Sequence, residues 1–109
     1  SARLKGRVYL NRRRRKKIWD LSDRPQPKNV SIWFELQTNT PPPFNVHWQV
    51  VNTGSEAAAE NGLRGSIEAG SSAGRWEDTR YRGTHWIEAF VVKGGTCVAR
   101  TGRTLVRIR

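Results

Sequence analysis

Three groups of side chains in this 109-residue sequence have types and spacings that could do chemistry. The first is cationic. Arg12 to Lys17 is an unbroken run of six basic residues, whose mutual repulsion keeps it out of a packed core and leaves it as a loop or an exposed strand end. Three roles are open to it: a solvated connector, an arm that binds phosphate, or a contact with a preceding domain. The second group is aromatic. Five tryptophans, Trp19, Trp33, Trp48, Trp76 and Trp86, exceed what a small core requires. Trp33 and Trp76 sit among polar neighbours, and Trp86 shares a strand face with Glu88 and Phe90, so these three are the candidates for stacking. A base stacked on such a ring gains about 1–3 kcal/mol. Arg64, Arg75, Arg80, Arg82, Lys93 and Arg100 supply charge that can hold a phosphate, the arginines in bidentate fashion; the alternative for each is a solvated surface cation. The third group is His47 and His85, with Glu35 or Glu88 as further metal ligands. Two histidines with uncertain mates make a poor zinc set, and hydrogen-bonded sheet histidines are the simpler expectation.

Catalysis fails mainly by what is missing. The sequence has no glycine-rich phosphate loop before a helix, no paired-histidine zinc motif and no nucleophile elbow. Cys97 lies in "TCVAR", a strand pattern in which a small buried hydrophobe is the ordinary role. The domain is therefore expected not to be an enzyme, with no catalytic residues, no metal and no cofactor.

The net charge of +11 points towards polyanions, but its distribution matters more than its size. Residues 1–28 carry 11 Arg and Lys against 2 Asp, and residues 29–109 carry 9 against 7, so the body is nearly neutral. Residues 1–28 are read as a basic arm or linker with a possible first strand near Val8 to Leu10. Residues 29–109 are read as the folded body, Pro25 and Pro27 marking the boundary. Its length suits one domain. No apolar run approaches the roughly 18 residues that span a bilayer, so no membrane partner is expected. The lone cysteine cannot form an internal disulfide and favours a cytoplasmic setting. The absence of methionine and the opening Ser1-Ala2-Arg3 suggest one domain of a longer protein.

The elements that must position these groups are strands. In "VSIWFELQ", Val30, Ile32, Phe34 and Leu36 share one face and Ser31, Trp33, Glu35 and Gln37 the other, as a half-buried strand requires. In "FNVHWQVV", Val46, Trp48 and Val50 oppose Asn45, His47, Gln49 and Val51, which makes Trp48 a core residue. "LRGSIE", "THWIEAFVV", "TCVAR" and "TLVRIR" are further strands. "AGSSAG" is a flexible turn leading into "RWEDTRY", and Gly94-Gly95 after Lys93 predicts a tight hairpin. Only "SEAAAENG" has helical propensity, with Asn61-Gly62 as its stop. About seven short strands without βαβ alternation predict an all-β fold, a single antiparallel β-sandwich of immunoglobulin-like character, with a small barrel second.

Beyond its physical pattern, "HWQVVNTGSEAA...LRGSI" followed by "RWEDTRYRGTHWIEAFVVKGGTCVART" resembles the adenylyl/guanylyl and SMODS C-terminal sensor domain family. The matching positions run through Trp48, Val50, Asn52, Gly54, Glu56, Ala57, Leu63, Arg64 and Gly65. They continue through Glu77, Thr79, Tyr81, Gly83, His85, Glu88, Val92, Lys93, Gly95, Cys97, Val98, Ala99 and Arg100. Asp78 beside Glu77 and Trp86 after His85 depart from the pattern. The resemblance implies a non-catalytic sensor attached behind a bacterial nucleotidyltransferase that makes cyclic oligonucleotide second messengers in anti-phage defence. It also implies a nucleotide-like or infection-associated ligand. Within the matched segments, Arg64, Arg75, Lys93 and Arg100 are expected to contact phosphate. Tyr81, Trp86 and Trp76 are expected to stack, and Glu77, Glu88, Thr79 and His85 to read polar edges. The alternative is that Glu77, Tyr81, Glu88 and Arg100 form a structural network tying strands together. Two other functions stay open: a nucleic-acid-binding domain working through Arg12–Lys17, and a protein-interaction or oligomerisation module.

Overall fold

A computed structural model describes residues 1–14 and 16–109; Arg15, within the basic run, lies outside the described residues. The elements in chain order are β1 (Ala2–Tyr9), β2 (Lys17–Asp20), β3 (Ser31–Thr38), β4 (Asn45–Val51), α1 (Ser55–Ala59), β5 (Ile67–Gly70), β6 (Gly74–Asp78), β7 (Gly83–Lys93), β8 (Thr96–Arg100) and β9 (Thr104–Ile108). Their alternation of apolar and polar side chains leaves each sheet with one face to bury, and the two sheets bury those faces against each other. The first sheet runs β2-β1-β3-β6 and the second β5-β4-β7, the named strand pairs being antiparallel. The long strand β7 pairs with β9 along Gly83–Ile87 and with β8 along Phe90–Lys93. The result is the all-β antiparallel sandwich that the periodicity predicts, with nine strands among the described residues in place of about seven.

The two additional strands escape the alternation rule for physical reasons. Strand β2 is exposed at all four positions and so has no buried face to pattern. Strand β6 is an edge strand held only through β3, and its "GRWED" sequence is mostly polar. Strand β1 begins at Ala2, well before Val8, because Ala2, Leu4, Gly6 and Val8 alternate with Arg3, Lys5 and Arg7, and the charges mask the pattern. Strand β5 is shorter than "LRGSIE" implies, with Arg64 making only an isolated bridge to Asn52.

The core is assembled from Val8, Val30, Ile32, Phe34 and Leu36 of the first sheet and Val46, Trp48, Val50, Ile87, Ala89, Val91, Val106 and Ile108 of the second. Trp48 is buried opposite Ala89, the small partner leaving room for the indole, whose N–H donates to the Ser71 carbonyl at 3.0 Å. Burial of such a side chain contributes about 1.5–3 kcal/mol. The β7–β8 turn is Gly94-Gly95, with φ of 58° and 78°, a two-residue hairpin open to glycine at no steric cost.

Two expectations are corrected. His47 and His85 do not meet: His47 lies opposite Phe90 on the outer face of the second sheet, whereas His85 lies opposite Val106 on the inner face. Cys97 is exposed, because the β7–β8 pairing shifts register between Val91 and Val92 and sets Cys97 beside Val92. A bulge of this kind re-aims side chains that simple alternation would bury.

Candidate ligand-binding cleft

The cleft is built where the edge strand β6 meets the loop between α1 and β5. Alternation along β6 sends Arg75 and Glu77 to one side of the strand and Trp76 to the other, opposite Trp33. The loop arrives from the second sheet after α1 ends: Asn61 takes a left-handed φ of 54° and Gly62 N–H bonds the Ala57 carbonyl at 2.6 Å. Asn52 donates from Nδ2 to the Gly62 carbonyl at 3.2 Å. A Cβ on Gly62 would fall 2.4 Å from a Tyr81 ring carbon, so the absence of a side chain lets that ring lie against the loop.

This arrangement brings Arg64 to Glu77. Arg64 Nη1 donates to Glu77 Oε1 at 2.8 Å and Arg75 Nε to Glu77 Oε2 at 2.7 Å, so one half-buried carboxylate is held between two guanidinium groups, one from the α1–β5 loop and one from β6 itself. Beside it, Asp78 accepts from Ser31 Oγ at 2.7 Å and lies 2.9 Å from Arg12 Nη2. Partial burial alone would raise the Asp78 carboxyl, but the Ser31 and Arg12 hydrogen bonds and the nearby charges of Arg12 and Arg80 hold it below its ordinary value. The Arg12 guanidinium also sits 5.9 Å from the centre of the Trp76 ring. Together with Asn52, Asn61, Arg80 and Tyr81, these residues line an open cleft of about 570 Å³. Arg80 is exposed and makes no side-chain hydrogen bond or ion pair among the described residues.

Six of the residues singled out from the sequence therefore share one cleft: Arg64, Arg75, Trp76, Glu77, Arg80 and Tyr81. Thr79 and His85 stand behind it in the interior. Thr79 Oγ1 accepts from Val30 N–H at 3.0 Å and donates to the Pro27 carbonyl at 2.8 Å. His85 accepts from Thr53 N–H at Nδ1 (3.0 Å) and donates from Nε2 to the Tyr81 carbonyl (2.8 Å), pinning the segment that carries Tyr81. Trp86, Glu88 and Arg100 lie on the outer face of the second sheet. Glu88 is only 3% exposed and receives two bonds from Arg100, at 3.1 and 3.2 Å, while Arg103 stacks 4.1 Å from the Trp86 ring. Lys93, at the opposite end of β7 from the Tyr81 segment, donates to the carbonyls of Pro41 and Pro43 at 2.6 and 2.9 Å. Glu77 and Glu88 thus tie strands in two separate pairings, not in one network.

Arg12, Asn52 and Asn61 join the cleft without having been assigned to it. Arg12 reads in the sequence only as part of a basic run and Asn61 only as a helix stop; their long-range placement, Arg12 reaching residue 78, leaves no local trace. Among the described residues no three His, Cys, Asp or Glu side chains gather into a metal-ligand group, and no helix is long and apolar enough to cross a membrane.

Fold and cleft together define a two-sheet β module that presents a basic, aromatic-walled recess at one sheet edge. The family model described as the Adenylyl/Guanylyl and SMODS C-terminal sensor domain matches residues 3–109, and the chain belongs to that family. It is thus a C-terminal sensor domain of adenylyl/guanylyl and SMODS proteins. No curated protein matches the chain.

Proposed function

We propose that this sensor domain binds a nucleotide or nucleotide-derived ligand without transforming it, in the cleft between β6 and the α1–β5 loop. Binding regulates an upstream cytoplasmic nucleotidyltransferase in bacterial anti-phage signalling. The observation that supports this reading is the composition of the cleft: four arginines, Arg12, Arg64, Arg75 and Arg80, face two carboxylates, Glu77 and Asp78, beside the rings of Trp76 and Tyr81. Guanidinium in excess over carboxylate suits phosphate, and the rings suit a base. Asn52 and Asn61 add donors and acceptors for its polar edge. Membership of the sensor family supplies the regulatory context and the enzyme neighbour.

Calorimetric titration with mono-, di- and cyclic nucleotides tests the reading. The double variant Arg64→Ala/Arg80→Ala is expected to weaken binding at least about tenfold, since a hydrogen bond to a charged group contributes about 1.5–3 kcal/mol. Absence of binding at millimolar ligand, or affinity untouched by the double variant, overturns it.

A further inference from the structure

The outer face of the first sheet carries a second arrangement, on the other side of β6 from the Arg75 and Glu77 side chains. Arg3, Lys5, Arg7 and Tyr9 alternate to this face along β1, and the pairing register sets Arg7 opposite Trp33 and Trp33 opposite Trp76. One row across three strands therefore reads Arg7, Trp33, Trp76. The indoles of Trp33 and Trp76 have centroids 5.3 Å apart, and Tyr9 meets Trp76 edge-on at 5.1 Å. Gly74 is what allows Trp33 to extend over the neighbouring strand: a Cβ there would come within 2.5 Å of Trp33 Cζ2. Arg7, Tyr9, Trp33 and Trp76 line an open depression of about 270 Å³, ample for a planar base.

Cations surround this row in excess. The loop between β1 and β2 is closed by Leu10 N–H to the Lys16 carbonyl at 3.3 Å. It is turned by Asn11 Oδ1, which accepts from the N–H groups of Arg13 and Arg14. Arg12 draws the loop to the aromatic row through its contacts with Trp76 and Asp78. The acids nearby are already engaged: Glu35 with Arg7 at 3.2 Å, Asp20 with Lys17 at 2.7 Å and Asp78 with Arg12. Arg3, Lys5, Arg13, Arg14 and Lys16 are exposed and have no ion-pair partner among the described residues.

We propose that this face binds single-stranded nucleic acid, with bases stacked on the Trp33–Trp76–Tyr9 row and the phosphate backbone following the cations of β1 and the β1–β2 loop. A duplex keeps the faces of its bases stacked inside, so its phosphates, sugars and groove edges leave the aromatic row without a base to stack. An unpaired strand uses both parts of the surface, which is how aromatic rings and a basic track combine in single-strand binding. The surface does not depend on the nucleotide reading of the cleft, although Trp76 borders both.

Fluorescence anisotropy on the 109-residue chain tests it, with labelled oligo-U and oligo-dT of about 12 nucleotides, within the roughly 4–16 nucleotides of a single-strand-binding domain. A duplex of equal length is the control. Binding is expected to favour the single strands and to weaken with salt along a log–log slope of about −0.7 per phosphate neutralised, hence about −3.5 for five cations. Trp33→Ala is expected to lower affinity about ten- to hundredfold with a folded circular dichroism spectrum. Arg13→Glu/Arg14→Glu, in an exposed loop, lowers affinity and flattens the slope by about 1.4 whatever the fate of the tryptophan variant. Arg64→Ala/Arg80→Ala leaves binding unchanged and so separates this surface from the cleft. Oligo-U and oligo-dT differ in the 2′-hydroxyl and in the base methyl, and a preference for either agrees with the proposal. Duplex binding as tight as single-strand binding overturns it. So does the absence of binding at about 50 mM salt, a regime in which phosphate contacts are strong, or an affinity that the loop variant does not change.

Discussion

Replacing Thr79 by valine removes one hydroxyl and preserves shape, and the structure says what that hydroxyl does. It accepts from Val30 N–H at 3.0 Å and donates to the Pro27 carbonyl at 2.8 Å, and Thr79 itself is 2% exposed. Its backbone completes the same clamp, Thr79 N–H donating to the Val30 carbonyl at 2.9 Å and its carbonyl accepting from Asn29 N–H at 2.7 Å. Valine leaves a buried N–H without its partner, which costs about 1–3 kcal/mol, and it also strips one bond from Pro27. Taking about 2 kcal/mol, and about 4–8 °C per kcal/mol for a domain of this size, the melting temperature is expected to fall by about 8–16 °C. Thr79→Ser keeps the hydroxyl and is expected to lose far less. Differential scanning calorimetry on the two variants reads this directly. A Thr79→Val domain melting within about 2 °C of the parent refutes the reasoning, since an orphaned buried donor cannot be that cheap. A ligand-reading role for Thr79 predicts the opposite pattern, with unchanged melting and altered affinity.

Gly74→Ala is expected to destabilise by about 1–3 kcal/mol, because the new methyl would meet the Phe34 carbonyl oxygen at 2.4 Å as well as the Trp33 ring, and backbone cannot step aside. Intrinsic tryptophan fluorescence shifted to the red together with a lower melting temperature supports this, and unaltered values of both count against it. On acidification, the carboxyls of Glu56 and Glu35 are depressed, the first chiefly by its Lys28 hydrogen bond and the second by Gln37 and then Arg7. Asp78 is depressed by Ser31 and Arg12 in spite of partial desolvation. A depressed folded-state value stabilises above the unfolded value and is lost below it. Melting temperature should therefore hold as pH falls towards 4.5 and decline as it passes below 4.5 for the glutamates and 3.8 for Asp78. Thermal melts across a pH series check this; a domain no less stable at pH 3 than at pH 6 would contradict it.

How much of the fold the sequence reveals depends on whether a strand has one wet face and one dry. Strands β3 and β4 do, and Ile32, Phe34, Val46 and Trp48 occupy the interior positions that alternation requires. Strand β2 has no dry face, β6 touches the sheet only along one edge, and β1 hides its apolar alternation behind three cations. The register shift opposite Val91 and Val92 is equally invisible, because a bulge is a property of a pair of strands.

The cleft is legible to the same degree and for the same reason. Trp76, Glu77 and Tyr81 lie within six residues of one another, so an edge strand and its following turn bring them together by local geometry. Arg64 joins them because α1 stops at Asn61-Gly62, a signal readable in sequence as a turn but not as a direction. Arg12 joins them only because β1 lies next to β3 and β3 next to β6, an order set by which apolar faces bury together and not by any spacing along the chain. The same strand order is what lays Arg7, Trp33 and Trp76 side by side from positions far apart in sequence. Charge that reads along the chain as a basic arm thus becomes, in the folded domain, two distinct contributions: Arg12 to the rim of the cleft, and Arg3, Lys5 and Arg7 of β1 to the face that carries Trp33 and Trp76. A truncation of the basic segment would remove β1 from the middle of the first sheet and unfold the question along with the protein. Point substitutions in the β1–β2 loop and at Trp33 are therefore the perturbations that can tell a linker from a binding surface.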